Sequence, residues 1–98
     1  MYNLKITVKN VEYPYFETMG ACLAFKEMSG LEPFEVSATD QKANLQYMYC
    51  VTKLAARHDD VEFSLTFEEF VDGLKAEEYI RIIQAVNSSA QEGDIPKK

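Results

Sequence analysis

Residues 2–16, YNLKITVKNVEYPYF, followed by residues 17–30, ETMGACLAFKEMSG, decide the fold. In the first stretch Tyr2, Leu4, Ile6 and Val8 alternate with Asn3, Lys5, Thr7 and Lys9, the period of a strand with one covered face. Val11, Tyr13 and Tyr15 resume the alternation beyond Lys9-Asn10. A two-residue hairpin turn is expected there, because Asn tolerates positive φ. Pro14 has no N–H to give to a ladder and belongs on the outer side of the second strand. A lone two-stranded hairpin is marginal in water, so the Leu4/Ile6/Val8 face must lie against helices.

The second stretch supplies the first of those helices. Thr18 stands as its cap, and Ala21, Ala24, Phe25 and Met28 recur at helical spacing, with Met19, Cys22 and Leu23 expected to widen the same apolar face. Gly30 ends it, and Leu31 is placed to close over the last turn. LEPFEVSATD, residues 31–40, then reads as a connection, since Pro33 excludes a continuous helix. Ser37 and Asp40 have capping-box spacing, with Thr39 as a competing cap.

A second helix is expected from about Asp40 to Arg57, apolar on two sides. Tyr47, Met48, Val51, Leu54, Ala55 and His58 share one side, whereas Leu45, Tyr49 and Ala56, with Thr52 beside them, gather nearly opposite. Two apolar faces need two partners. Either both are covered within the fold, or the Leu45/Tyr49/Thr52/Ala56 side is a protein-binding face, for which Tyr is a suitable anchor.

Asp59-Asp60 ends that helix, and Val61, Phe63 and Leu65 alternate through a short extended connection. Thr66 and Glu69 form a capping box, with Leu65 positioned to staple onto Phe70 in a short helix carrying Phe67, Val71 and Leu74. After Gly73 and Lys75 a final helix buries Tyr79, Ile82, Ile83 and Val86. The fold class is therefore α+β, an N-terminal β-hairpin packed on a mainly helical domain of about four helices. Residues 1–87 form the domain, and the polar residues 88–98, with Gly93 and Pro96, are expected to be a flexible tail.

Composition bounds the function. A chain of 98 residues, 47% apolar and 27% charged, has material for one folded core. Its net charge is −6, and eight acids lie between Asp59 and Glu78 against Lys75 alone. A nucleic acid or an anionic membrane is thus disfavoured as a partner on electrostatic grounds, although the acidic run suits a basic protein segment. Met1 leads straight into strand-like alternation, so neither signal peptide nor membrane span is expected. Cys22 and Cys50 have no metal spacing and read as reduced, buried thiols of a cytoplasmic protein.

Catalytic chemistry is equally thin. His58 is the sole histidine and stands at a helix end, where it caps or lines the core. An enzyme built on it would show a closed pocket with a nearby nucleophile, yet both thiols fall in apolar helical contexts. No glycine-rich phosphate loop or paired-cysteine motif is present, so neither enzyme nor cofactor is expected.

The order of VEYPYF in a hairpin, TMGACLAFKEMSG in a helix, a Tyr-rich central helix and SLTFEEFVDGL before a terminal helix resembles the small tail assembly chaperones of tailed bacteriophages and prophages. The likeness runs over residues 2–86, with EYPY at Glu12–Tyr15 and FKEMSG at Phe25–Gly30; Lys9-Asn10 stands where many relatives have Asn-Gly. It implies a non-enzymatic protein of the bacterial host cytoplasm that binds the tape measure protein during tail assembly and is absent from the finished tail. The competing expectation is a small structural or regulatory adaptor that associates with a second copy of itself.

Overall fold

The computed structural model describes residues 4–37 and 39–94, with side chains described to residue 86. It has the expected architecture, an N-terminal hairpin packed against four α-helices. Strands β1 (Lys5–Val8) and β2 (Val11–Pro14) pair antiparallel, with Ile6 opposite Tyr13 and Val8 opposite Val11. Lys9 (φ 53°) and Asn10 (φ 66°) both adopt the left-handed conformation. That is the backbone of a tight turn whose twist matches the strands, reached here without glycine. Tyr15 extends the ladder by donating its N–H to the Leu4 carbonyl at 3.0 Å. Ile6, Val8, Tyr13 and Tyr15 are buried on one face, as alternation requires. The expected start of β1 at Tyr2 lies outside the described residues.

Helix α1 (Met19–Ser29) begins under Thr18, whose Oγ1 accepts from the Ala21 N–H at 3.1 Å. It ends at Gly30, whose φ of 80° is open to glycine at little cost and whose N–H reaches the Lys26 carbonyl at 2.7 Å. A 3-10 turn, Pro33–Glu35, follows. Helix α2 (Gln41–His58) is capped by Asp40, not by Ser37 or Thr39: Asp40 Oδ1 accepts from the Ala43 N–H at 3.1 Å. Its far end closes as a Schellman turn. Asp60 takes φ 59°, and the Val61 N–H donates to the Ala56 carbonyl at 2.8 Å.

Residues 61–66 cross to α3 (Phe67–Gly73), where Thr66 and Glu69 form the full reciprocal capping box. Helix α4 (Ala76–Asp94) then runs further than the expected boundary near Asn87. The continuation is physically reasonable, because residues 88–92 contain no proline and include the helix formers Ala90, Gln91 and Glu92. Residues 95–98 of the expected tail lie outside the described residues.

The main core joins Ile6, Val8, Tyr13 and Tyr15 of the hairpin region to Ala21, Met48, Val51, Phe70 and Ile82. All four helices therefore contribute to it. A smaller cluster of Phe25, Ala43 and Cys50 seals α1 onto α2, with Tyr47 and Tyr49 packed against both clusters. Burying these apolar groups supplies the driving force, at ~25 cal/mol per Å² of surface removed from water. Among the described residues no helix is long and apolar enough to cross a membrane.

Candidate protein-docking surface

The central helix decides which apolar faces remain free. Thr52 and Ala56 are fully buried at 0% exposure, and Leu45 and Tyr49 are half-buried. The Tyr49 ring meets Phe63, Phe67 and Phe70 at centroid distances of 5.8, 5.7 and 5.5 Å. Its hydroxyl donates to the Leu65 carbonyl at 2.9 Å, and the Thr52 hydroxyl donates to the Met48 carbonyl at 2.8 Å. Both polar tips are thus satisfied from within the chain. Of the two readings of the Leu45/Tyr49/Thr52/Ala56 side, a protein-binding face or an internal core face, the burial of Thr52 and Ala56 and the cover that residues 63–70 give Tyr49 match the internal one at those three residues, while Leu45 stays half-buried.

Uncovered apolar surface lies instead on α1. Met19 is 75% exposed and Leu23 65%, although the sequence suggested that both widen the inner face. At about 100° per residue they fall opposite Ala21 and Phe25, the two residues that α1 buries. That signal was present in the spacing. Phe34, beyond the C-terminal end of α1, is 85% exposed. It is presented by the 3-10 turn, which the Glu32 and Glu35 capping bonds fold and Lys26–Glu32 ties back to α1 at 2.6 Å.

Between α1 and α2 a groove of ≈ 290 Å³ is lined by Ala24, Glu27, Met28, Tyr49, Cys50 and Lys53. Cys50 Sγ lies 4.0 Å from Met28 Sδ. Burial pushes the Cys50 thiol up to about 11, so it stays protonated and acts as a small apolar group at neutral pH. Cys22 is half-buried, not fully buried as expected.

The orientation of α1 is fixed at its N-terminal end. The Tyr47 hydroxyl of α2 donates to the Glu17 carboxylate, just before the helix. Burial, reinforced by that carboxylate, raises the Tyr47 pKa far above the ordinary phenol range. In its first turn, a Cβ on Gly20 would stand 3.1 Å from Leu54 Cδ1, which shows how closely the helices approach. These contacts turn Met19 and Leu23 outward. Residues 17–35 carry Glu17, Glu27, Glu32 and Glu35 against Lys26 alone, so the apolar pair sits in acidic surroundings.

The candidate catalytic group has no comparable setting. The His58 side chain is 68% exposed, with Nδ1 3.0 Å from the Asp59 carboxylate and the ring edge against Phe16. Among the described residues no group of three or more His, Cys, Asp or Glu side chains could hold a metal ion. Comparison with known proteins finds no matching family model, no similar curated protein and no similar solved structure.

Proposed function

We propose that this chain is a non-enzymatic tail assembly chaperone of a phage or prophage, which binds the tape measure protein in the bacterial cytoplasm during tail assembly. The reading rests on the sequence resemblance over residues 2–86. The observation that carries the binding role is the outward pair Met19 and Leu23 on α1, with Phe34 beyond its end. Large apolar side chains left in water at these fractions favour a partner that covers them.

The shape suits an amphipathic helix laid along α1, with apolar anchors at helical spacing and basic residues beside them to meet the surrounding glutamates. Covering a Met or Leu side chain is worth about 1.5–3 kcal/mol, before the cost of ordering the complex. No bound nucleotide or metal is needed for such capture. Holding a client in this way keeps its apolar stripe from aggregating.

Copurification of the chain with each candidate tail protein tests this. The tape measure protein should be retained, and Met19→Ser with Leu23→Ser should weaken retention by about tenfold or more while the far-ultraviolet spectrum stays native. Retention of other tail proteins but not of the tape measure protein would remove the proposed client. Retention of the tape measure protein by the double variant at native strength would remove α1 as its seat.

A further inference from the structure

The outer edge of β1 is closed in an unusual way. A two-residue turn makes Val8 and Val11 a hydrogen-bonded pair, so residues 6 and 8 bond to β2 while Lys5, Thr7 and Lys9 direct their backbone groups away from it. Among the described residues no strand lies on that side of the two-stranded sheet. The Thr7 N–H instead donates to Glu78 Oε2 at 2.7 Å, and the Lys9 N–H donates to the Gly73 carbonyl at 2.9 Å. Arg81 Nη2 donates to the Lys5 carbonyl, and the same guanidinium clamps Glu78 through bonds of 2.9 and 2.7 Å. One main-chain carbonyl and two side chains thus stand in for a third strand.

Other details fix the corner in place. A Cβ on Gly73 would fall 2.2 Å from Lys9 Cγ and 3.2 Å from the Lys9 nitrogen, so any larger residue there would have to push the Lys9 side chain aside. Hydrogen bonding from Arg81 holds the Glu78 carboxyl below its ordinary range, against burial, with the Thr7 N–H assisting. Glu78 therefore remains an acceptor. Arg81 is also within the electrostatic reach of Glu12 on β2.

We propose that the corner between α3 and α4 is a guard on β1, occupying the edge that a second copy of this chain would otherwise pair with, and that Glu78 and Arg81 are its working residues. The edge is self-complementary when turned about Thr7: antiparallel pairing would let each Thr7 offer its N–H and carbonyl to the other. Such pairing would convert two isolated two-stranded sheets into one four-stranded sheet, which is the more stable arrangement. An uncovered strand edge is a template for this addition. The guard concerns a surface separate from α1 and does not depend on the identity of the client.

The test replaces both residues, Glu78→Ala with Arg81→Ala, which keeps good helix formers on α4 and leaves buried Ile82 in place. Amide hydrogen exchange at Thr7 and sedimentation velocity are followed over a range of protein concentration. In dilute solution the Thr7 amide should exchange at least ~10-fold faster than in the native chain. As concentration rises, the variant should gain mass relative to the native chain and recover protection at Thr7. A variant of native helix content whose mass follows that of the native chain throughout overturns the proposal. So does a mass gain that survives the added change Thr7→Pro, which removes the donor at the centre of the edge. Should the double variant unfold, Arg81→Gln alone opens the Lys5 contact: a concentration-dependent gain in mass with recovered protection at Thr7 then supports the guard, and a native mass throughout overturns it.

Discussion

The outer face of α1 and the second face of α2 carry the same kind of residue and meet opposite fates. On α2, Tyr49 is enclosed by Phe63, Phe67 and Phe70, and Thr52 and Ala56 are fully buried. On α1, Met19 and Leu23 remain 75% and 65% exposed. Helical spacing identifies an apolar face, but the cover for that face comes from elsewhere in the chain. For α2 it comes from residues up to 21 positions downstream, delivered by the Schellman turn at Asp60 and the capping box at Thr66. No described segment returns across Met19 and Leu23 to the same extent.

The largest expected effect lies in that downstream cover. Phe70 is fully buried and its ring meets both Tyr49 and Phe63, so Phe70→Ala removes an aromatic ring from the centre of the core. It should cost about 3–5 kcal/mol in urea unfolding. Tyr49→Ser should also destabilise, since it strips the ring from Phe63, Phe67 and Phe70 and leaves the Leu65 carbonyl without its donor. A native midpoint for Tyr49→Ser would return that face to the solvent side and break the contrast.

Thiol labelling probes the border between the two faces. Cys50 lies in the groove joining α1 to α2, nearly buried, and its pKa is raised to about 11 by burial. Because the thiolate is the reactive form, little of it exists at pH 8, and the folded chain should be alkylated at Cys50 on the order of 100-fold more slowly than the unfolded chain. Its labelling should accelerate as pH rises towards 11. Rapid modification at pH 8 in the folded state, resolved by peptide mapping, would show that the groove opens to solvent.

A smaller change tests how the cover is held. Thr66→Ala deletes the hydroxyl that accepts from the Glu69 N–H at 3.1 Å, at the start of the segment that carries Phe67 and Phe70 onto α2. The expected cost is ~1 kcal/mol by chemical denaturation. Amide exchange should quicken first in α3. An unchanged exchange rate there would assign the placement of α3 to its apolar contacts alone.

The sequence made the hairpin, the caps at Thr18 and Thr66 and the stop at Gly30 readable, because each depends on residues within a few positions of one another. Helix α4 is described to Asp94, beyond the boundary that the polar composition of residues 88–92 suggests, because helix propagation needs only compatible backbone and the absence of proline. The site was harder. Tyr49 looks like an exposed anchor until the chain returns 14 to 21 positions later, and periodicity carries no information about that return. The guard at β1 was equally hidden, since Glu78 reaches Thr7 across 71 positions.

The smallest expected effect on stability is also the sharpest statement of the contrast. Met19→Ser and Leu23→Ser alter side chains that already face water, so little transfer energy is lost on folding, and the helix keeps its Thr18 cap and Gly30 stop. Serine is a poorer helix former than Met or Leu by a few tenths of a kcal/mol per position. The pair should therefore shift unfolding by no more than about 1 kcal/mol, well below the cost of Phe70→Ala. Urea denaturation followed by circular dichroism measures both on one scale. A loss for the α1 pair as large as that for Phe70→Ala would mean that Met19 and Leu23 are covered in solution, by a second copy or by the chain itself. Their binding role would then have to be sought on the surface of that assembly.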